Sequence, residues 1–208
     1  MTKNLGVVSI TKANFILHKP KKGYQVSNIY FLPKVHKTPI GFWPTCSYNN
    51  SIFDQTFKLL HYQLLPILLL QTQYLKDSHS LVQKLENLHA PNSFIFSFDV
   101  ESLYSNIRLK LGLEALCHII SPHFSLTKTS LIYTLSALIL EYHFLTFDNQ
   151  VKGTTAGSNI SVVYACLFLA YKENSQSTSQ LFYFSRYIDN VFGVWTDTKP
   201  NFSSILFL

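Results

Sequence analysis

The segment Ser93–Ile107, SFIFSFDVESLYSNI, constrains this chain more than any other. Phe94, Phe96 and Phe98 alternate with Ile95, Ser97 and Asp99, the two-residue period of a strand with two unlike faces. Three aromatics on one face predict a pleated, largely buried surface. On the other face the strand carries one carboxylate, Asp99, to its end. Glu101, Ser102, Ser105 and Asn106 then turn the chain toward a helical pattern from about Arg108. A carboxylate so placed reads in two ways. It is a reactive group presented by a rigid strand, or it opens a turn and caps the next helix.

With 47% hydrophobic and only 13% charged residues, the 208-residue chain is globular rather than disordered. No apolar run approaches the roughly 20 residues of a membrane-spanning helix, so Leu64–Leu70 and Ile160–Ala170 read as buried helix segments. The opening MTKNLGVVSITKANF lacks the apolar core of a secretory leader. Cys46, Cys117 and Cys166 form no CxxC, and the histidines show no ligand spacing, which argues against a disulfide framework or a zinc site. The expectation is an intracellular protein, with the nucleus open to it. Its net charge of +6 is uneven: seven lysines and no acid lie between Met1 and Lys37. That basic arm points to a polyanionic partner, or it is a solvated tail. Arg108 and Arg186 are the only arginines, so bidentate phosphate clamping must be sparse.

Along the chain, Asn28–Leu32 reads as a strand stopped by Pro33, followed by a loop holding Pro39, Gly41 and Pro44. Lys34 and Lys37 in that region are phosphate-holding point charges or ordinary surface lysines. Phe53, Phe57, Leu60, Leu64, Leu65 and Leu68 form a helical stripe, which Pro66 should kink or split near Leu65. A second helix begins at Asp77–Ser78 and carries Leu81, Val82, Leu85 and Leu88. Beyond the organising strand, helices are predicted over Leu109–Ile120 and Leu126–Leu140, with a short strand at Phe144–Phe147. The loop Val151–Asn159, VKGTTAGSN, opens the apolar helix Ile160–Tyr171 and lets backbone and hydroxyl groups approach a phosphate or base. It matches neither a P-loop nor GxGxxG. Last comes Leu181–Trp195, LFYFSRYIDNVFGVW, a predicted hairpin whose tight Asp189-Asn190 turn carries a second carboxylate. Asp-Asn is also a common turn pair with no chemistry attached.

Asp99, the Gly/Ser loop and Asp189 come in that order, with 189 − 99 = 90 residues between the carboxylates. From about Tyr30 to Trp195 the chain resembles the reverse transcriptases, and among them most closely those of Penelope-like retroelements. The resemblance rests on FLPKVHK (Phe31–Lys37), FDVESLYSNI (Phe98–Ile107), GTTAGSN with VVYACLFLAYKE (Gly153–Asn159, Val162–Glu173), and RYIDN (Arg186–Asn190). It implies an α+β polymerase palm, a small antiparallel sheet backed by helices, over residues 76–208. Residues 1–75 would be a basic arm with a fingers-like segment. It implies RNA-directed DNA synthesis with two Mg²⁺ or Mn²⁺ ions held by Asp99, Asp189 and the backbone carbonyl of Val100. Tyr104 would lie at the sugar of the deoxynucleoside triphosphate and exclude a 2′-hydroxyl. Gly153, Gly157 and Ser158 would back the nucleotide and template base, and Lys34 and Lys37 would approach the triphosphate. The implied partners are an RNA template and a DNA primer, with no membrane.

The chain also departs from the family. Trp43, in Phe42-Trp43-Pro44-Thr45, stands where an LRPI-like segment carries a triphosphate-clamping arginine. Asn190 replaces the second aspartate of YxDD, and Ala156 stands where methionine is usual. The chain ends 208 − 189 = 19 residues past Asp189, so the rest of the palm, a thumb and an endonuclease are expected to be missing from it. Two readings follow: a weak or inactive polymerase fragment, or a catalytically dead nucleic-acid-binding palm and fingers remnant.

Overall fold

The computed structural model describes residues 9–17, 23–35, 38–141, 157–174 and 181–196. The core forms around one helix, α7 (Asn159–Asn174), in which Ile160 and every residue from Val163 to Ala170 are buried. A helix apolar on all sides has no face to give to water and takes the middle of a domain. Helices α2 (Asp54–Leu69) and α5 (Leu109–Ile120) flank it, and α6 (Leu126–Glu141) packs on α5. Close approach of α5 and α7 depends on Gly112: a Cβ there would lie 2.0 Å from the Tyr164 hydroxyl.

Against these helices lies a three-stranded antiparallel sheet of order β3 (Phe94–Asp99), β5 (Asn190–Trp195), β4 (Leu181–Tyr187). Phe96, Val191 and Trp195 join the helices in one core. The aromatic face of β3 is buried less evenly than its pattern predicts. Phe96 is buried and Phe98 half-buried, while Phe94, at the start of the strand, is 49% exposed. Gly193 explains the depth of Phe96, because the ring lies across it where a Cβ would come within 2.1 Å.

A separate two-stranded ribbon is made of β1 (Asn28–Lys34) and β2 (Gly41–Ser47), paired from Asn28↔Ser47 to Lys34↔Gly41. The second of these strands corrects the loop expected there. Pro33 and Pro44 fall on the same alternate set of pairs, Pro33↔Phe42 and Phe31↔Pro44. Their missing N–H groups therefore point out of the ribbon and interrupt no ladder bond. Pro66 is a second correction: α2 runs through it unbroken. Pro66 and Tyr62, whose carbonyl it leaves without a partner, are both exposed, while Leu64, Ile67 and Leu68 hold the helix to the core.

A helix does begin at the expected Asp77–Ser78. Asp77 caps α3 (Ser78–Leu85), its Oδ1 accepting the Ser80 N–H at 2.8 Å, and Leu88 lies beyond that helix. The strand expected at Phe144–Phe147 lies outside the described residues. No helix among the described residues is long and apolar enough to cross a membrane. Cys46, Cys117 and Cys166 are free thiols.

Candidate active site

The hairpin turn is Ile188–Asp189, one residue earlier than the expected Asp189-Asn190 tip. Tyr187↔Asn190 closes the loop, so Asn190 is already the first residue of β5. Ile188 has φ 57. A two-residue loop needs positive φ at its first position to match the twist of the strands. For a β-branched side chain that backbone is an outlier, with a strain of about 1–3 kcal/mol that surrounding contacts must offset.

The same turn meets the end of β3. Asp99 lies directly opposite Asn190, and the Val100 N–H donates to the Asp189 carbonyl at 2.9 Å. Asn190 Nδ2 in turn donates to Asp189 Oδ1 at 3.1 Å. Asp99, Val100, Asp189 and Asn190 thus share one end of the sheet. Beyond Val100 the chain reverses through Ser102, φ 53, into the short helix α4 (Leu103–Asn106). Buried Leu103 and Ile107 anchor that helix, and Asn106 Nδ2 donates back to the Glu101 carbonyl at 3.1 Å. Half-buried Tyr104 is brought beside the turn. Its phenol is pushed up to about 12 by burial first, then by Cys166 and Asp189 nearby.

Arg186, three residues before Asp189, is the residue that sequence reasoning undervalued. Only 1% exposed, it reaches α7 and the turn together. Nε and Nη2 bind the two carboxylate oxygens of Glu173, Nη2 donates to the Cys166 carbonyl at 3.1 Å, and Nη1 donates to the Ile188 carbonyl at 2.6 Å. Burial opposes the guanidinium charge, but Glu173 outweighs it and keeps the group above its ordinary range. Four of its hydrogen bonds are made within the protein, which ties this guanidinium to the fold. A signal was present: Arg186 alternates with Phe184 along β4, and α7 is largely apolar until Lys172 and Glu173. A charge on an inward strand face calls for a buried partner.

The remaining predicted residues are spread out. Gly157, φ 112, meets β2: a Cβ there would lie 2.2 Å from the Cys46 carbonyl oxygen. Ser158 caps α7, its Oγ accepting the Ser161 N–H at 3.2 Å. This end of the Gly/Ser loop therefore joins the central helix to the ribbon. Lys34 lies at the ribbon's far end, about 20 Å along it from the Asn28–Ser47 root. Trp43 stands in β2 opposite Leu32. Lys37 and Gly153 lie outside the described residues. A cavity of about 740 Å³ opens beside Asp99, between the sheet and the helices, with Phe98, Arg108, Phe168 and Lys172 in its wall.

As a donor set for hard divalent ions, this sheet end is thin. Carboxylate and carbonyl oxygens are the right chemistry, and Asp99 at the end of β3 and Asp189 in the adjoining turn supply them. Among the described residues there is no group of three or more His, Cys, Asp or Glu able to hold a metal ion. Asn190 can add an oxygen if its amide turns over, without adding charge. The oxygen chemistry suits such ions, with one negative charge fewer than a three-aspartate set.

No family model matches the chain, and no curated protein sequence matches it. Solved structures do. A telomerase from Candida tropicalis truncated from the C-terminal domain superposes with a TM-score of 0.60 at 13% identity, over 88% of this chain and 45% of that one. Telomerase from Candida albicans, in complex with a TWJ fragment of telomeric RNA, gives 0.56 at 12% identity over 86% and 40%. Apo telomerase from Candida tropicalis gives 0.55 at 13% over 86% and 41%. The chain spans less than half the length of each. The likeness is one of fold: this chain's mixed α/β arrangement, which holds two small antiparallel sheets among the described residues, superposes on part of these telomerases.

Proposed function

We propose that the chain is a reverse-transcriptase-type domain, the palm and part of the fingers of an RNA-directed DNA polymerase from a Penelope-like retroelement, with synthesis too weak to detect in its present form. The observation that carries this is the bond from the Val100 N–H to the Asp189 carbonyl, which joins the two aspartate-bearing motifs at one sheet end. The fold likeness to telomerase supports a polymerase, and the neighbour bound to telomeric RNA supports a nucleic-acid partner. In this reading residues 1–75 are the arm and fingers and residues 76–208 the palm.

Asp99, Asp189 and the Val100 carbonyl would hold two Mg²⁺ or Mn²⁺ ions. When bound, such ions favour loss of the primer 3′-hydroxyl proton and neutralise triphosphate charge. Tyr104, stiffened by burial, would fill the space of a 2′-hydroxyl and select deoxynucleotides. Lys34 and Lys37 would supply charge toward the triphosphate, and Gly153, Gly157 and Ser158 would back the nucleotide. Asn190 subtracts one carboxylate from the site, and Trp43 subtracts a guanidinium from the triphosphate. One such electrostatic group is commonly worth about 10²–10³ in rate, so the two losses together would reach about 10⁴–10⁶.

The test is extension of a primed RNA template with Mg²⁺ or Mn²⁺. The unaltered chain is expected to add no nucleotides. A chain carrying Asn190→Asp, Trp43→Arg and a grafted thumb is expected to synthesise DNA and to stop when Asp99→Ala is added. Robust synthesis by the unaltered chain would overturn the assigned weakness. A restored chain that binds primed template without extending it would leave the second reading, a binding remnant, which Asn190 already favours.

A further inference from the structure

We propose that Arg186 and Glu173 form a positioning pair that sets Asp189 against Asp99 by holding the backbone of the Ile188–Asp189 turn. This rests on the reading of Asp99 and Asp189 as metal ligands. The peptide groups on the two sides of Asp189 are both fixed. The Ile188 carbonyl accepts Arg186 Nη1 at 2.6 Å from the helical side of the sheet. The Asp189 carbonyl accepts the Val100 N–H at 2.9 Å from β3. With both ends of the turn residue tied, its carboxylate has little freedom beyond its own side-chain torsions.

The pair is itself over-determined. Glu173 takes Nε and Nη2 in a two-point fork, and Cys166, two turns earlier in α7, supplies a backbone carbonyl to Nη2 at 3.1 Å. The Arg186 backbone is held too, its N–H donating to the Gln73 carbonyl at 2.7 Å and its carbonyl accepting the Leu75 N–H at 2.8 Å. No other described contact reaches the Ile188 carbonyl, so the strained φ of 57 at Ile188 depends on this guanidinium. Arg186 touches neither the proposed ions nor the reacting atoms. It acts through the turn.

The experiment uses the full chain and two variants. Arg186→Lys keeps a cation for Glu173 but lacks the fork that reaches three acceptors at once. Arg186→Met with Glu173→Met removes the pair while keeping the site filled, a change that often preserves stability. Hydrogen exchange at the Val100 amide reads the turn without any metal, with the Leu116 amide in α5 as control. Mn²⁺ affinity, measured by titration, reads the carboxylates. In both variants Val100 is expected to exchange at least about tenfold faster with Leu116 unchanged, and Mn²⁺ to bind about 10- to 100-fold more weakly. Parent-like exchange at Val100 in the folded double variant would overturn the proposal, as would parent-like Mn²⁺ affinity. If the parent chain binds no Mn²⁺, the metal reading fails, and Val100 exchange alone then decides whether the pair positions the turn.

Discussion

The sheet end at Asp189 and the β1–β2 ribbon are both antiparallel hairpins, yet they are held in opposite ways. The first is fixed from inside. A buried guanidinium grips its turn, Phe96 lies across Gly193 beneath it, and β3 completes its hydrogen bonding. Among its described side chains, the ribbon reaches the core at its root, through Ile29, Cys46 and Tyr48. Further out, Phe31 is 49% exposed, Phe42 56% and Val35 79%. A lone two-stranded ribbon is marginally stable. The difference separates a sheet end tied by core contacts on several sides from an arm that leaves apolar side chains in solvent.

The contrast is open to direct attack at its two phenylalanines. Phe96→Ala empties a packed site between sheet and helices, and about 3–5 kcal/mol of unfolding free energy should be lost. Phe31→Ala removes one exposed ring and its edge contact with Phe42, with an expected loss under about 1 kcal/mol. Urea midpoints of the two variants give the comparison. Equal losses would mean that the ribbon belongs to the cooperative core.

The glycines sharpen the same point at a smaller scale. A methyl at Gly193 would sit 2.1 Å from the Phe96 ring, and Gly193→Ala should cost about 1–3 kcal/mol as the ring is forced aside. At Gly41 the nearest atom is the Lys34 Cδ at 3.5 Å, the flexible middle of a side chain. Gly41→Ala should stay within about 0.5 kcal/mol of the parent. A large effect at Gly41 would show that the ribbon tip is packed after all.

What was legible in the sequence follows from how local each signal is. Alternation in Phe94–Asp99 and the apolar run from Ile160 are short-range patterns, and both elements formed where they were expected. The strand Gly41–Ser47 was hidden because its prolines read as loop, and only the cross-strand register shows that they fall at harmless positions. The turn slipped by one residue for a similar reason. Asp-Asn is the better turn pair by propensity, but the two-residue loop puts Ile188 at its first position, where φ must be positive, and the Ile188 carbonyl accepts from Arg186. Of the candidate site, Asp99, Val100, Tyr104, Asp189 and Asn190 were legible and do gather at one sheet end. The Arg186–Glu173 pair was not, since its meaning depends on a contact between strand and helix.

The smallest expected effect lies in alkaline solution, and it too divides the molecule. Tyr104 is pushed up to about 12 by burial, then by Cys166 and Asp189, and burial also raises Tyr74 and Tyr164. All three belong to the helical body and the sheet end, and none to the ribbon. A phenol whose folded value lies above its unfolded value of about 10 favours the folded state at neutral pH. That contribution is complete below about pH 10 and is lost as the pH rises toward 12, because the unfolded chain releases its proton first. Urea midpoints should therefore begin to fall near pH 9, where the Cys166 thiol, raised by burial, adds its share, and fall more steeply above 10. Tyr104→Phe, which has no proton to lose, should flatten part of that fall. Asp189→Asn should flatten it slightly through Tyr104, because removing the carboxylate charge makes the phenolate easier to form in the fold. The same slope in the parent and in Tyr104→Phe would place Tyr104 in water, away from the turn, and would break the link between that ring and Asp189.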